Sequence, residues 1–427
     1  MKSQARQSRT QFSIDVQNGT GYGSHIAAHS RTNQTFILKP AFEAQPEPQL
    51  LPGKRMRAYL TAMFLLGLCG AADAIAQAPV QRYVIADQDA MGPGGSDVRA
   101  LMVFLQSPEV NLLGITVVTG DGWRDEEVAH ALRLLELLGR TDVKVYAGAV
   151  HPLWRTEEFT RSMESLYGKA TFKGAWNDGP RKHAWDAVPP LREGNPATQA
   201  ADEDAAHFMM RMVHQYPHQV TIFGAGPLTN IAMAIELDPH FAELAQELVI
   251  MGGSIVPQTQ DREWANSPRH EFNFWFDPEA ASIVLKAPWA KITDITIDAS
   301  LLTHIAPEIL DGVFKAHTPS AEYLRAYVRT PVQGVGQYAW DELAAAVWLD
   351  PEIIKTERYV YMDVNTDHGA NYGDTLTWQE EYKPAIPLNK VHVVMEPNLP
   401  RVQDLLIRLF AGPTPGAKNP LMMPAGN

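Results

Sequence analysis

The chain has 427 residues, 45% hydrophobic and 20% charged, enough for one large or two medium domains with a substantial core. Its formal charge of −13 argues against nucleic acid or an anionic membrane surface as a partner, since both call for a basic footprint. A single cysteine, Cys69, rules out an intramolecular disulfide and a zinc–thiolate cluster.

Residues 1–55 are polar, rich in Gln, Ser, Thr and Asn, and lack sustained periodicity, so they read as a disordered or untranslated extension. Lys54-Arg55-Met56-Arg57 then precedes "AYLTAMFLLGLCGAA", fifteen residues without a charge, and Ala74-Ile75-Ala76 closes the stretch. Basic, apolar, then A-x-A is the pattern of a secretory signal peptide, here 56–76 with Met56 as the true start. The expected product is exported, periplasmic or secreted, with no stable membrane insertion after processing. An N-terminal membrane anchor is the alternative, although the apolar run is short for a span. Leu68 is too bulky for a lipoprotein site at Cys69. Residues 1–76 hold 8 of the basic and 4 of the acidic side chains, so the exported part is more acidic than the precursor.

From Tyr83 onward apolar runs alternate with helical patterns. The strand candidates are 83–86, 112–118, 143–146, 220–223, 247–251, 291–296, 359–364 and 390–395. Val98, Leu101, Met102 and Leu105 share one helix face, as do Val128, Leu132, Leu135 and Leu138, after which Gly139 ends the helix. "LLGITVV" is apolar throughout, as in strands covered on both faces. The expected fold is α/β, a doubly wound, mostly parallel open sheet in a single domain over 77–412, with a flexible tail at 413–427.

In such sheets ligands bind beyond the carboxyl ends of the strands, which directs attention to the strand ends. "VIADQDAMGPGGSDVRALM" (84–102) ends its strand on Asp87 and Asp89, passes a glycine-rich loop, and begins its helix near Asp97. Asp121 ends the next strand, and "FGAGPLTN" and "MGGS" end two more. Carboxylates gathered without a cation repel one another, and burial raises their pKa values, so a metal is the economical partner. All-oxygen donors, with no Cys or His, favour calcium over zinc. The alternative is a capping arrangement, with Asp87 on loop amides and Asp97 as a helix N-cap. The loop lacks the Lys-Ser/Thr of a phosphate-binding P-loop, and its glycine spacing does not match a dinucleotide fingerprint.

Several motifs, in order over roughly 80–400, resemble the inosine–uridine-type nucleoside hydrolase family. Asp87-Gln88-Asp89 and Pro93-Gly94-Gly95-Ser96-Asp97 resemble its D-x-D…P-G-x-D-D signature, with Ala90-Met91-Gly92 inserted. "ITVVTGD", "GPLTNIAMAIELDP" (226–239), "ELVIMGGS" (247–254), "EFNFWFDPEAASIV" (271–284) and "WDELAAAVWLDPE" (340–352) resemble its later segments. The resemblance implies a Rossmann-like nucleoside hydrolase fold and calcium-dependent N-glycosidic hydrolysis of ribonucleosides to free base and ribose. It further implies that Asp89 binds calcium and acts as general base toward water, with Asp97, Asp341 and the Ala225 carbonyl as further ligands. Asp87 would hold the loop, while Met251, Glu271 and Asn273, with Asn266 a lesser candidate, would contact ribose hydroxyls.

Three positions depart from the family pattern or choose within it. Ser96 stands where the family places an aspartate on the ribose; its hydroxyl is expected to bond the sugar, without the charge. Asp121 and Trp340 stand where one branch carries Asn and His, and resemble the purine-specific branch, in which aromatic stacking eases protonation of the base. A second stacking ring is open among Trp154, Tyr167, Phe172 and Trp176. His151, His183, His270 and His304 are not assigned to metal, and His270, beside Glu271, is the best histidine for a substrate role. The expected partner is a small nucleoside, with self-association into a homo-oligomer. A hydrolase of another N- or O-glycoside, or a binding protein that retains the calcium pocket, are the alternatives.

Overall fold

The computed structural model describes residues 81–180, 182–259, 267–328 and 338–417. The N-terminal extension, the signal segment and Asn266 lie outside the described residues. The chain runs β1 (Arg82–Gln88), α1 (Ser96–Leu105), β2 (Val110–Val117), α2 (Arg124–Leu137), β3 (Val145–Ala147), α3 (Glu157–Tyr167), α4 (Ala205–Gln215), β4 (Val220–Ala225), α5 (Thr229–Leu237), α6 (Phe241–Leu244) and β5 (Glu247–Met251). It continues through α7 (Phe272–Phe276), α8 (Pro278–Lys286), β6 (Ile292–Ile295), α9 (Ile297–Ser300), α10 (Pro307–Val313), α11 (Pro319–Tyr327), α12 (Asp341–Leu349), β7 (Ile354–Val364), β8 (Thr375–Trp378), β9 (Lys390–Pro397) and α13 (Leu399–Ala411).

The strands form one open sheet in the order β3-β2-β1-β4-β5-β6-β9-β7-β8. It is parallel from β3 to β9, while β7 pairs antiparallel with both β9 and β8. Over the parallel strands β1, β4, β5 and β6 both faces are covered, and their residues divide between the faces with period two. In β1, Val84 and Ala86 enter one hydrophobic cluster and Ile85 the other. In β5, Val249 joins the first, and Leu248 and Ile250 the second.

Each of the eight expected strands coincides with an observed one, and β8 is the addition. At the edge of the sheet β8 is mostly half-buried, so it lacks the apolar run of a covered strand and is specified by its pairing with β7. The helix after Asp97 also differs from the expected one-faced pattern. Every residue of α1 from Asp97 to Leu105 is buried, so this helix lies inside the fold. Gly139 ends α2 as expected: at φ 70°, its N–H bonds Glu136 O and the following Arg140 N–H bonds Leu135 O, a Schellman closure. Among the described residues no helix is long and apolar enough to cross a membrane.

The topology itself points to a site. From β1 the chain moves outward through β2 to β3, then returns to place β4 on the other flank of β1. A crevice opens at such a reversal, at the carboxyl ends of β1 and β4. Gln88, the last residue of β1, pairs with Val117 on one side and Ala225 on the other.

Candidate active site

The acidic loop after β1 does not cap its helix. Gly95 is the N-cap of α1, without a side-chain cap, and Asp97 sits inside the first turn. Asp87 accepts no loop amide either; it accepts hydrogen bonds from Thr116 Oγ1 (2.6 Å) and Asn230 Nδ2 (2.8 Å). It thus ties β1 to β2 and α5 and leaves the glycine loop alone. Burial pushes its carboxyl up to about 7 against these two bonds.

Asp89, Asp97 and Asp341 are all buried, and one carboxylate oxygen from each lies within 4.8 Å of the others. Asp89 follows β1, Asp97 lies in α1 and Asp341 begins α12, so three separate elements bring them together. Burial, then repulsion from Asp121 and other acids, pushes the Asp89 and Asp97 carboxyls well above the usual range. Burial and Glu342 do the same to Asp341. Arg99, two residues past Asp97, is committed to Glu342 at 2.6 Å. Three buried, mutually repelling oxygen donors fit a hard divalent cation and not a thiophilic or imidazole-seeking one. Ala225 is buried at the end of β4 and does not line the cleft; its register opposite Gln88 sets it near the loop that carries Asp89.

Two glycines make room for Asp89. A Cβ on Gly120 would lie 2.1 Å from Asp89 Oδ2, and one on Gly226 would lie 2.8 Å from Asp89 N. The Asp121 backbone N–H donates to Asp89 Oδ2 at 3.0 Å. Gln88 Nε2 donates to the Asp97 carbonyl (3.1 Å) and Asp341 Oδ2 (3.3 Å), linking the two helices beneath the triad. Glu127 accepts the Gly122 N–H at 2.6 Å, and burial pushes its carboxyl up as well.

A cleft of about 590 Å³ opens over the triad. Asp89, Asp97 and Asp341 line it, together with Ser96, Asp121, Met251, Glu271, Asn273 and Trp340. Residues from five distant sequence segments therefore meet at one wall. Glu271 caps α7, accepting the N–H groups of Asn273 (2.8 Å) and Phe274 (3.0 Å) and, from the loop after β5, Gly253 (2.9 Å). Burial nevertheless pushes its carboxyl up to about 7. Asn273 Nδ2 donates to the Met251 carbonyl at 3.0 Å, which orients the amide beside the end of β5.

Ser96 differs from expectation. Its hydroxyl donates to Glu342 Oε2 and accepts the N–H groups of Trp340 (3.1 Å) and Asp341 (3.0 Å). One donor and two acceptor positions are all a hydroxyl has, so none is left for a sugar. Of the four candidate stacking rings, only Phe172 lines the cleft; Trp176 is buried against Phe276, and Trp154 stacks on His368. Phe172 packs edge-on against Phe272 at 4.9 Å, and Trp340 lies 5.1 Å from Tyr338. His270 also lines the cleft, and burial followed by the Arg155 charge lowers its imidazole to about 3.

Gln88, Glu127, Arg99, Glu342, Phe272 and Tyr338 were not singled out from the sequence. Gln88 had a local signal, because it lies between the two aspartates of the strand end. The others lie on elements whose packing alone brings them to the site.

An acidic pocket at the switch point of a parallel sheet, walled by polar side chains and by rings, is built to take a small polar molecule that carries an aromatic part. The chain belongs to the inosine-uridine preferring nucleoside hydrolase family, whose profile matches residues 84–404. It is a nucleoside N-glycosyl hydrolase. A probable uridine nucleosidase of Arabidopsis thaliana is 32% identical over 244 residues, 57% of this chain and 68% of its own. A pyrimidine-specific ribonucleoside hydrolase of Photobacterium profundum is 29% identical over 282 residues, 64% of this chain and 82% of its own. Among solved structures, a plant nucleoside hydrolase superposes with TM-score 0.60 at 25% identity, covering 78% of this chain and 99% of its own. A purine-preferring ribonucleoside hydrolase of Gardnerella vaginalis shares the fold at TM-score 0.60 and 24% identity, with the same coverage.

Proposed function

We propose that this exported enzyme hydrolyses purine ribonucleosides to base and ribose in a calcium-dependent reaction. The observation that carries the purine preference is the pair of rings, Trp340 and Phe172, in the cleft wall. His270 is the one imidazole lining the cleft among the described residues, and burial together with the Arg155 charge pushes it down, which disfavours it as a proton donor to the leaving base. The base must then be protonated at its own ring nitrogen, which a purine offers and uracil does not. Trp340 and Phe172 supply the aromatic walls for that ring.

A bound calcium ion would be held by Asp89, Asp97, Asp341 and the Ala225 carbonyl, supplying positive charge that acidifies water and gathers sugar hydroxyls. Asp89, fixed by the Asp121 N–H, takes the proton from the attacking water as its oxygen bonds to C1′. The C1′–N bond breaks through an oxocarbenium-like state, and its electron pair leaves with the base. Glu271 and Asn273 hold the sugar hydroxyls, and Met251 packs against the sugar. Asp121 lies at the cleft wall beside Asp89 and adds negative charge facing the developing cation.

The uridine nucleosidase and pyrimidine-specific relatives favour a second reading, the same chemistry with uridine preferred. Steady-state hydrolysis of inosine and uridine side by side decides between them. The purine reading expects inosine to be cleaved at least ~10-fold faster, and Trp340→Ala to lower kcat on inosine strongly. Uridine cleaved equally well or better overturns it.

A further inference from the structure

The saturated hydroxyl of Ser96 belongs to a closed network. Helix α12 begins with Trp340 as N-cap, at φ −85° and ψ −84°, and no side chain of its own caps it. Its exposed N–H groups are taken up from another helix, by Ser96 at the first position of α1. Glu342, fully buried in the first turn of α12, accepts the Ser96 hydroxyl on one carboxylate oxygen and Arg99 Nε (2.6 Å) on the other. Ser96 and Arg99 stand three residues apart on α1, so a single carboxylate grips both. Arg99 Nη1 then donates to the Gly94 carbonyl at 2.6 Å, fastening the glycine-rich loop to the same network.

Asp97 and Asp341 sit inside this ring, one on each of the helices it joins. Arg99 offsets the charge of Glu342, whose repulsion nevertheless contributes to raising the Asp341 carboxyl. The network also gives a physical reason for serine at 96: an aspartate there would face the Glu342 carboxylate at hydrogen-bond distance with no proton to share. A buried and fully satisfied polar network of this kind fixes geometry more firmly than any one of its bonds.

We infer that Ser96, acting with Glu342 and Arg99, is a positioning residue that sets the spacing of Asp97 and Asp341, and through it the cation affinity, and that it does not contact the sugar. This rests on the cation site proposed above. Residues that hold metal ligands in place commonly change metal affinity 10–100-fold when removed.

The test uses the processed enzyme, titrated with calcium by calorimetry, with kcat and KM measured for inosine and 2′-deoxyinosine at saturating calcium. Ser96→Ala is expected to weaken calcium binding about 10–100-fold. At saturating calcium it should leave the inosine-to-deoxyinosine ratio of kcat/KM unchanged, and Ser96→Thr, which keeps the hydroxyl, should restore much of the affinity. Glu342→Gln alters a residue that does not line the cleft and should weaken calcium in the same direction, which keeps the test open should Ser96→Ala fail to fold. Unchanged calcium affinity in Ser96→Ala, with a raised KM and a collapsed ribose-to-deoxyribose ratio, overturns the inference and makes Ser96 a sugar contact. A wild-type enzyme that binds no divalent cation overturns the cation site itself, and the inference with it.

Discussion

A single methyl group placed at Gly120 should disable this enzyme while leaving it folded. The added Cβ would lie 2.1 Å from Asp89 Oδ2, 2.6 Å from Asp89 Cβ and 2.7 Å from Asp89 Cγ. Ordinary contact needs at least 3.4 Å, so the carboxylate must move by more than an ångström. Asp89 is short and buried, and moving it also breaks the bond from the Asp121 N–H. A misplacement of about 1 Å in a reacting group costs on the order of 100-fold, about 2.7 kcal/mol of transition-state stabilisation. Gly120→Ala is therefore expected to lower kcat/KM for base release about 100-fold or more. The overpacking itself should cost about 1–3 kcal/mol of stability, which a thermal melt will show to be tolerated. Gly369→Ala is the control: its Cβ would meet nothing within 4 Å, and activity and stability should stay within about 0.5 kcal/mol of wild type. A folded Gly120→Ala enzyme with wild-type kcat would show that Asp89 is not the base.

Three further outcomes are expected. The proposed calcium site predicts that EGTA lowers both activity and melting temperature, since a ligand at 1,000 times its Kd adds about 4 kcal/mol to the native state; an unchanged melt with no metal by elemental analysis refutes this. Glu271 is held near 7 in the fold against 4.5 unfolded, so its contribution to stability is fully present below about 4.5 and is lost as pH rises through about 7. Glu271→Gln should accordingly gain melting temperature relative to wild type between pH 5 and 8, and a parallel pair of pH curves would remove Glu271 as the cause. The proposed export of the chain predicts a processed N-terminus near Gln77 by mass spectrometry, and cytosolic protein that retains residues 1–60 would refute it.

Much of this protein is determined locally. The strands β1, β4, β5 and β6 are legible because a strand covered on both faces must be apolar along its length, and a short run of such residues needs no distant information. The acids Asp87, Asp89 and Asp97 are legible for the same reason, since charges at a strand end with no neighbouring cation stand out in one dimension. Asp341, Glu271 and Trp340 carry no such local anomaly, and it was the resemblance of their surrounding segments that pointed to them.

Tertiary structure alone decided how those residues share their bonding capacity. Ser96 reads in sequence as a free hydroxyl beside a metal ligand; packing α1 against α12 spends all three of its hydrogen-bond positions on groups 244 to 246 residues away. Asp87 reads as a loop-holder, and the sheet register turns it toward Thr116 and Asn230 instead. Phe172 is one aromatic among four until the chain's path brings it, and not Trp154, Tyr167 or Trp176, to the cleft. Hydrophobic pattern is a property of neighbours in the chain and survives in one dimension. Hydrogen-bond valence and the clearance around a carboxylate depend on atoms that only folding brings together.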